Sequence, residues 1–288
     1  MDMDYLLTVM LSSLSSASVL LIAALGLAVV FGLMGVINLA HSEFIMMGAY
    51  TALTLTRLGI PYVLTIPLAV IFTMLIGAII ERLIVSRLYG RMFDTMLATW
   101  GLSMVILQLA VVIFGTATPS VNLPNFNFTI GQYNLAGYPV LLIGVAACLL
   151  AFTYFLLTKT TYGMKARASI QSPEMAQSIG IDSRKVNTLT FSIGCGLAGF
   201  AGAVLLPIVP ATPSMGMAFA VKSFLAVVVA GPVALSGTAL TALGLGGGAS
   251  VTASFLTSVA GEIFFFIITA LLLWRYPLGI SAKWRRKL

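Results

Sequence analysis

Few side chains in this sequence could do chemistry, and they gather at two places. At the first, the only histidine, His41, is followed by Ser42 and Glu43 and preceded by Asn38. A second carboxylate, Glu262, follows Gly261 inside a late apolar run, and Lys222 stands before Ser223 and the apolar stretch 224–229. One histidine cannot build a multi-histidine metal site. Cys148 and Cys195 lack CxxC or His-paired spacing and read as packing residues. His41, Glu43 and Glu262 do not make the paired aspartates or metal cluster that an intramembrane enzyme requires, and no metal or cofactor is expected. An ionisable group in an apolar setting is costly and usually faces a cavity or a partner. Asn38, His41 and Glu43 therefore line a path, or His41 and Glu43 join Ser42 in capping a short helix. Glu262 reads as path-lining or interhelical, or as solvated if it lies near the external boundary. Lys222 reads as snorkelling from the start of a half-helix.

The second place is the polar stretch 159–187, KTTYGMKARASIQSPEMAQSIGIDSRKVN, too long for a tight turn and too polar to cross a membrane. Pro173 can open a helix and Ser172 can cap it. Glu174 then suits the positive end of the helix dipole, and Gly180 can close the helix. A short capped helix carrying Glu174, Ala176 and Gly180 results. It is either a solvated connector on the membrane surface or a lever pressed into a partner subunit.

These groups must be positioned by membrane helices. The chain has 288 residues, 60% hydrophobic and 8% charged, against roughly 25% charged in a soluble domain. That excludes a soluble protein. Apolar segments near the roughly 20 residues needed to span a bilayer recur along the whole chain: 5–36, 43–57, 62–80, 94–114, 138–158, 187–209, 219–250 (interrupted) and 253–274. The expectation is one all-α polytopic transmembrane domain, 1–288, with about eight apolar helical segments, one or two of them broken or re-entrant, and the loop 159–187 within it.

Charge sets the sides. Arg82, Arg87 and Arg91, the five basic residues of 159–185, and the tail with Arg275, Lys283, Arg285, Arg286 and Lys287 all belong on the cytoplasmic side. The uncharged stretch 114–138 belongs outside. The net charge of +7 is read as topology, and no nucleic acid is implied. Residues 1–17 carry Asp2 and Asp4 where a secretory signal would be basic, so no cleavage is expected. Trp274, Tyr276 and Trp284 suit interfacial anchoring.

A cytoplasmic loop before residue 187 and a cytoplasmic C-terminus demand an even number of crossings between them, yet three apolar blocks follow. The irregular one is 219–250, where Ala230-Gly231-Pro232 interrupts the run and Gly244, Gly246, Gly247 and Gly248 follow. Proline removes a backbone donor, and freed backbone groups in a bilayer need protein or a water-filled cavity. The block is a re-entrant half-helix plus a full helix, or two short crossings. The first half shows a similar break at Asn38–Glu43. Long helix, polar or Gly/Pro break, then short segment is the pattern by which transporters build a midplane site from repeats. On this reading Gly231 and Pro232 join Asn38, His41, Glu43 and Glu262 along a path. Spacings such as Gly194-x-Gly196 and Gly199-x-x-Gly202 favour close helix packing.

Glu174-x-Ala176-x-x-x-Gly180 resembles the cytoplasmic coupling motif of permease subunits in bacterial binding-protein-dependent ABC importers. The stretch 19–50, through Gly35-Val-Ile-Asn-Leu-Ala-His41 and Gly48-Ala-Tyr50, is similar to the opening of the branched-chain amino acid and urea/amide permeases. Leu88-Tyr-Gly-Arg91 and Leu97-Ala-Thr-Trp-Gly101 resemble the urea-type members. Gly180-Ile with Val186, Phe191, Gly194, Gly196, Leu197 and Ala198-Gly199 is similar to the helix after the coupling loop. The resemblance spans nearly the whole chain. Where the family usually has His-Gly-Glu this chain has His41-Ser42-Glu43, and it has Val229-Ala230-Gly231-Pro232-Val233-Ala234 where relatives carry a glycine-rich run. The long insertion of some urea-type members is absent too.

The resemblance implies a multi-pass permease subunit of the bacterial inner membrane with a cytoplasmic C-terminus. Its partners would be a second homologous permease, cytoplasmic ATPase subunits and a periplasmic solute-binding protein, in contact with membrane lipid. The sequence holds no GxxxxGK(S/T) run to cradle a nucleotide, so ATP hydrolysis must lie on another chain and this one is not an enzyme. The substrate expected is urea or a short amide, with a branched-chain amino acid next. The alternative class, a channel or secondary transporter for a small neutral solute, leaves the capped loop without a purpose.

Overall fold

The computed structural model describes residues 3–121, 127–130, 133–231, 234–277 and 279–281. In chain order its elements begin with α1 (Met3–Met34), α2 (His41–Arg57), α3 (Tyr62–Leu83), α4 (Met92–Phe114) and a hairpin of β1 (Asn127–Ile130) and β2 (Tyr133–Ala136). There follow α5 (Gly137–Lys159), α6 (Thr161–Gln171), α7 (Pro173–Ser178), α8 (Ser183–Leu205), α9 (Met217–Ala230), α10 (Ala234–Thr241), α11 (Gly248–Phe255) and α12 (Ser258–Arg275). Helix dominates because hydrocarbon offers no partner to backbone groups, so each segment must satisfy its own.

Among the described residues six helices are long and apolar enough to cross a membrane: α1, α3, α4, α5, α8 and α12. The expected count of about eight is not confirmed, because two of the apolar segments do not form a helix of that length. Segment 43–57 forms α2, 17 residues long, and 219–250 divides into α9, α10, a π-helical turn Ala242–Gly247 and the start of α11. The division follows from Gly231, whose φ of 82° is left-handed and ends α9 one residue after Ala230. Pro232 lies outside the described residues.

One compact unit comprises 25–121 and 152–221. Its centre is α2, α3 and α8, drawn together by small residues. A Cβ on Gly48 would overlap the Gly199 backbone, one on Gly202 the Ile45 carbonyl, and one on Gly77 would come within 2.7 Å of Cys195 Cβ. Such contacts replace the hydrophobic force that is missing between helices in lipid. The glycine spacings and the buried Cys195 therefore serve packing, whereas Cys148 is exposed. Phe44 and Phe191, both fully buried, meet edge to face at 6.4 Å. The apolar windows of α1 and α8 are 72% and 78% buried, against 11% for α4 and 17% for α12, so the former pair is internal and the latter faces outward.

The other unit comprises 1–24, 122–151 and 222–288. Ser13 donates to the Gly247 carbonyl (3.1 Å) and Tyr5 to the Ser254 carbonyl (3.1 Å), so α1 and α11 run in opposite directions. Gly261 packs on Ala249 and Ala253, and Gly248 on the Phe264 ring, which makes α11 and α12 antiparallel too. Near its start α9 meets α12 through Lys222 and Glu262. At its end the Val229 and Ala230 carbonyls accept from the N–H groups of Ile280 (2.9 Å) and Ser281 (3.1 Å), just past α12. α9 and α12 therefore run the same way, and α11 runs against them. The hairpin, paired from Asn127↔Ala136 to Ile130↔Tyr133, departs from the all-α expectation. Two four-residue strands in a stretch read only for its lack of charge explain the difference.

Candidate functional site

α2 does not start at the end of α1. The chain turns at Gly35, and residues 35–40 are non-helical. A Cβ on Gly26 would come within 2.9 Å of His41 Cε1, so α2 begins beside a residue eight positions inside α1, about 12 Å from its end. This is a helix beginning within the protein. Asn38, His41, Ser42 and Glu43 are all buried there, with Glu43 1% exposed.

His41, Ser42 and Glu43 do not cap α2. The residue before the helix is Ala40, with no side-chain cap, and the three polar side chains occupy the first turn itself. Asn38 takes part of the capping role, its Oδ1 accepting from the Ala40 N–H at 3.1 Å. Ser42, where the family pattern has glycine, needs no left-handed backbone because it is helical, and its hydroxyl donates to Glu43 Oε1 at 3.2 Å. Ser103 of α4 donates to the same oxygen at 2.8 Å, and Thr99 of α4 accepts from the Leu39 N–H at 3.2 Å. Glu43 Oε2 and Asn38 Nδ2 are buried without a partner. Thr95, Thr99 and Ser103 recur at a spacing of four and so share one face of α4.

The other predicted path residues lie in the second unit. Glu262 pairs with Lys222 at 3.1 Å, its side chain 63% exposed and that of lysine 37%. The pair joins α9 to α12. Gly231 is buried, and a Cβ on Gly279 would clash with the Gly231 backbone, so the bend after α9 is a packed joint.

In the loop, Ser172 accepts from the Met175 N–H (3.4 Å), Pro173 opens α7, Glu174 is exposed in its first turn and Ala176 is buried. Gly180, at φ 83°, lets its own N–H reach the Gln177 carbonyl (2.9 Å) and the Ile181 N–H reach Ala176 (2.9 Å), closing the helix. Met175 and Ile179 are 71% and 75% exposed, an apolar pair on a polar loop. Two anchors went unread in the sequence. Tyr162 of α6 donates to Thr190 of α8 at 2.8 Å, and burial pushes its phenol up to about 12. Asp182 caps α8, accepting from the N–H groups of Arg184 (3.1 Å) and Lys185 (3.2 Å). Those bonds, the Lys185 N–H foremost, and the Lys185 ammonium hold its carboxyl below the usual range.

Glu81, at the end of α3, accepts from the Tyr89 hydroxyl on one oxygen and from Thr188 of α8 on the other (2.6 Å). Tyr89 and Thr99, both inside the urea-type stretches, thus serve as internal ties. An apolar pocket of about 460 Å³ lies between α2, α3 and α4 around Met47, Ile76 and Ile113. Its threonines, Thr51 and Thr54, donate to their own helix carbonyls, and the rest of its lining is almost wholly apolar.

Residues 9–274 match the family model described as "Branched-chain amino acid transport system / permease component". BraD of Pseudomonas aeruginosa, a high-affinity branched-chain amino acid transport system permease protein, is 29% identical over 299 residues, covering 95% of this chain and 95% of that one. The "Probable branched-chain amino acid transport permease protein LivH" of Methanocaldococcus jannaschii is 27% identical over 289 residues, covering 94% and 91%. The high-affinity system's LivH of Salmonella typhimurium is 24% identical over 305 residues, covering 97% and 96%. No solved structure is a significant match.

Proposed function

The chain belongs to the family of branched-chain amino acid transport permease components, and from that premise we propose that it forms half of the membrane pore of an ATP-driven importer of such amino acids. It is a transport subunit, not an enzyme. A second, similar permease completes the pore, ATPase subunits bind on the cytoplasmic side, and an external binding protein delivers the solute. α7 is the element that receives the ATPase stroke. Its caps fix it at both ends, its buried Ala176 seats it, and the exposed Met175 and Ile179 offer a partner an apolar foothold. The C-terminus and the loop 159–187 lie in the cytoplasm, and the hairpin lies outside.

The observation that carries this reading is the family match over residues 9–274, nearly the whole chain. Urea or a short amide loses its standing as preferred substrate. The relatives are named for branched-chain amino acids, and the stretches that suggested urea hold internal ties at Tyr89 and Thr99. The test is uptake by cells lacking their own branched-chain amino acid importer and supplied with this chain, its neighbouring permease, ATPases and binding protein. Labelled leucine should accumulate and labelled urea should not. The reverse result would assign the urea-type function.

A further inference from the structure

Glu43 and Asn38 are each half held. Two hydroxyls from different helices, Ser42 (3.2 Å) and Ser103 (2.8 Å), fix Glu43 Oε1, and the Ala40 N–H fixes Asn38 Oδ1 (3.1 Å). The second polar atom of each, Oε2 and Nδ2, has no partner, although the residues are only 1% and 2% exposed. A buried polar atom left unpaired bears its full desolvation cost, so such atoms call for an explanation such as a ligand. A carboxylate is the most demanding case, because its charge must be compensated once water is removed.

We propose that Glu43 Oε2 and Asn38 Nδ2 form the transient membrane site for the charged end of the transported α-amino acid. The proposal rests on the importer reading above. The ammonium donates to Glu43 Oε2, and the carboxylate accepts from Asn38 Nδ2. Four backbone donors around the start of α2 are already engaged. The N–H groups of Leu39, Ala40, His41 and Glu43 bond to Thr99, Asn38 Oδ1, the Asn38 carbonyl and the Ala40 carbonyl. The site thus offers one fixed carboxyl and one neutral donor, and a ligand with a cationic end would compensate the carboxyl's charge. Urea could make both hydrogen bonds but would gain no charge assistance. Ser103 is a positioning residue, aiming Oε2 by occupying Oε1. The site is closed in this structure and opens where α4 parts from α2 at the Ser103 and Thr99 contacts.

The test uses the full transporter in proteoliposomes, with binding protein and labelled leucine, and compares Glu43→Gln and Asn38→Leu with the unmodified complex. The expected result is at least about tenfold slower leucine uptake in Glu43→Gln, as befits loss of a charge-assisted hydrogen bond. Its melting temperature in detergent should be equal or higher, because a buried charge is gone. Leucine carrying a diazirine should label residues 38–43 or 103 in the unmodified complex and lose that labelling in Glu43→Gln. Uptake within twofold in both variants would overturn the proposal, as would a joint fall in uptake and melting temperature, which marks a structural role. If the unmodified complex itself takes up no leucine with ATP, it is the importer reading that fails.

Discussion

Glu81 is engaged on both oxygens and Glu43 on one, and the contrast separates a carboxylate that ties the fold from one held ready for a ligand. Glu81→Ala strands the Tyr89 hydroxyl, while Thr188 keeps its bond to the Arg184 carbonyl, and should cost about 1–3 kcal/mol, read as a lower melting temperature in detergent, with uptake falling only as far as the folded fraction does. An intact melting temperature would contradict that role. Glu43 was visible in the sequence as an expensive group, but its partners were not. Serines and threonines inside helices most often bond their own carbonyls, as Thr51 and Thr54 do, so a hydroxyl at Ser103 announces nothing by itself. The pairing of Lys222 with Glu262 spans 40 positions and no local rule reaches it.

Local chemistry decides the elements where caps and breakers act, which is why α7 and the break after α9 could be read from Ser172, Pro173, Gly180 and Gly231. Glu174→Arg places a cation at the positive end of α7 and should abolish stimulation of the ATPases by solute-loaded binding protein while leaving the chain inserted; normal stimulation would return α7 to a connector. The cap at Asp182 adds a pH dependence. Because its carboxyl is held below its unfolded value, the cap is at full strength above about pH 4 and weakens as pH falls through the folded value. Proteolysis after Arg184 and Lys185 by an acid-tolerant protease should accelerate across that fall, and a flat rate would contradict it. Contacts that depend on backbone donors escaped the reading. The seating of Ile280 and Ser281 on the end of α9 uses main-chain donors, and Gly279 matters only through what lies against it. Gly279→Val, forced against the Gly231 backbone with an unfavourable φ, should destabilise by about 1–3 kcal/mol, seen as a lowered melting temperature.

Over the whole chain, composition alone required a membrane protein, and among the described residues six helices of spanning length carry that through. Counting apolar runs overestimated full spans because α2 begins inside the protein and α9 is cut at Gly231, and in both places the backbone leaves regular helix where protein, not lipid, surrounds it. The outward faces of α4 and α12 leave room for lipid. The most direct test of ATP-driven import by an assembly is reconstitution in sealed liposomes with the second permease and ATPases, binding protein outside and ATP inside. Leucine should accumulate against its gradient only when binding protein and ATP are both present. Flux through this chain alone, or accumulation that ignores ATP, would contradict the account.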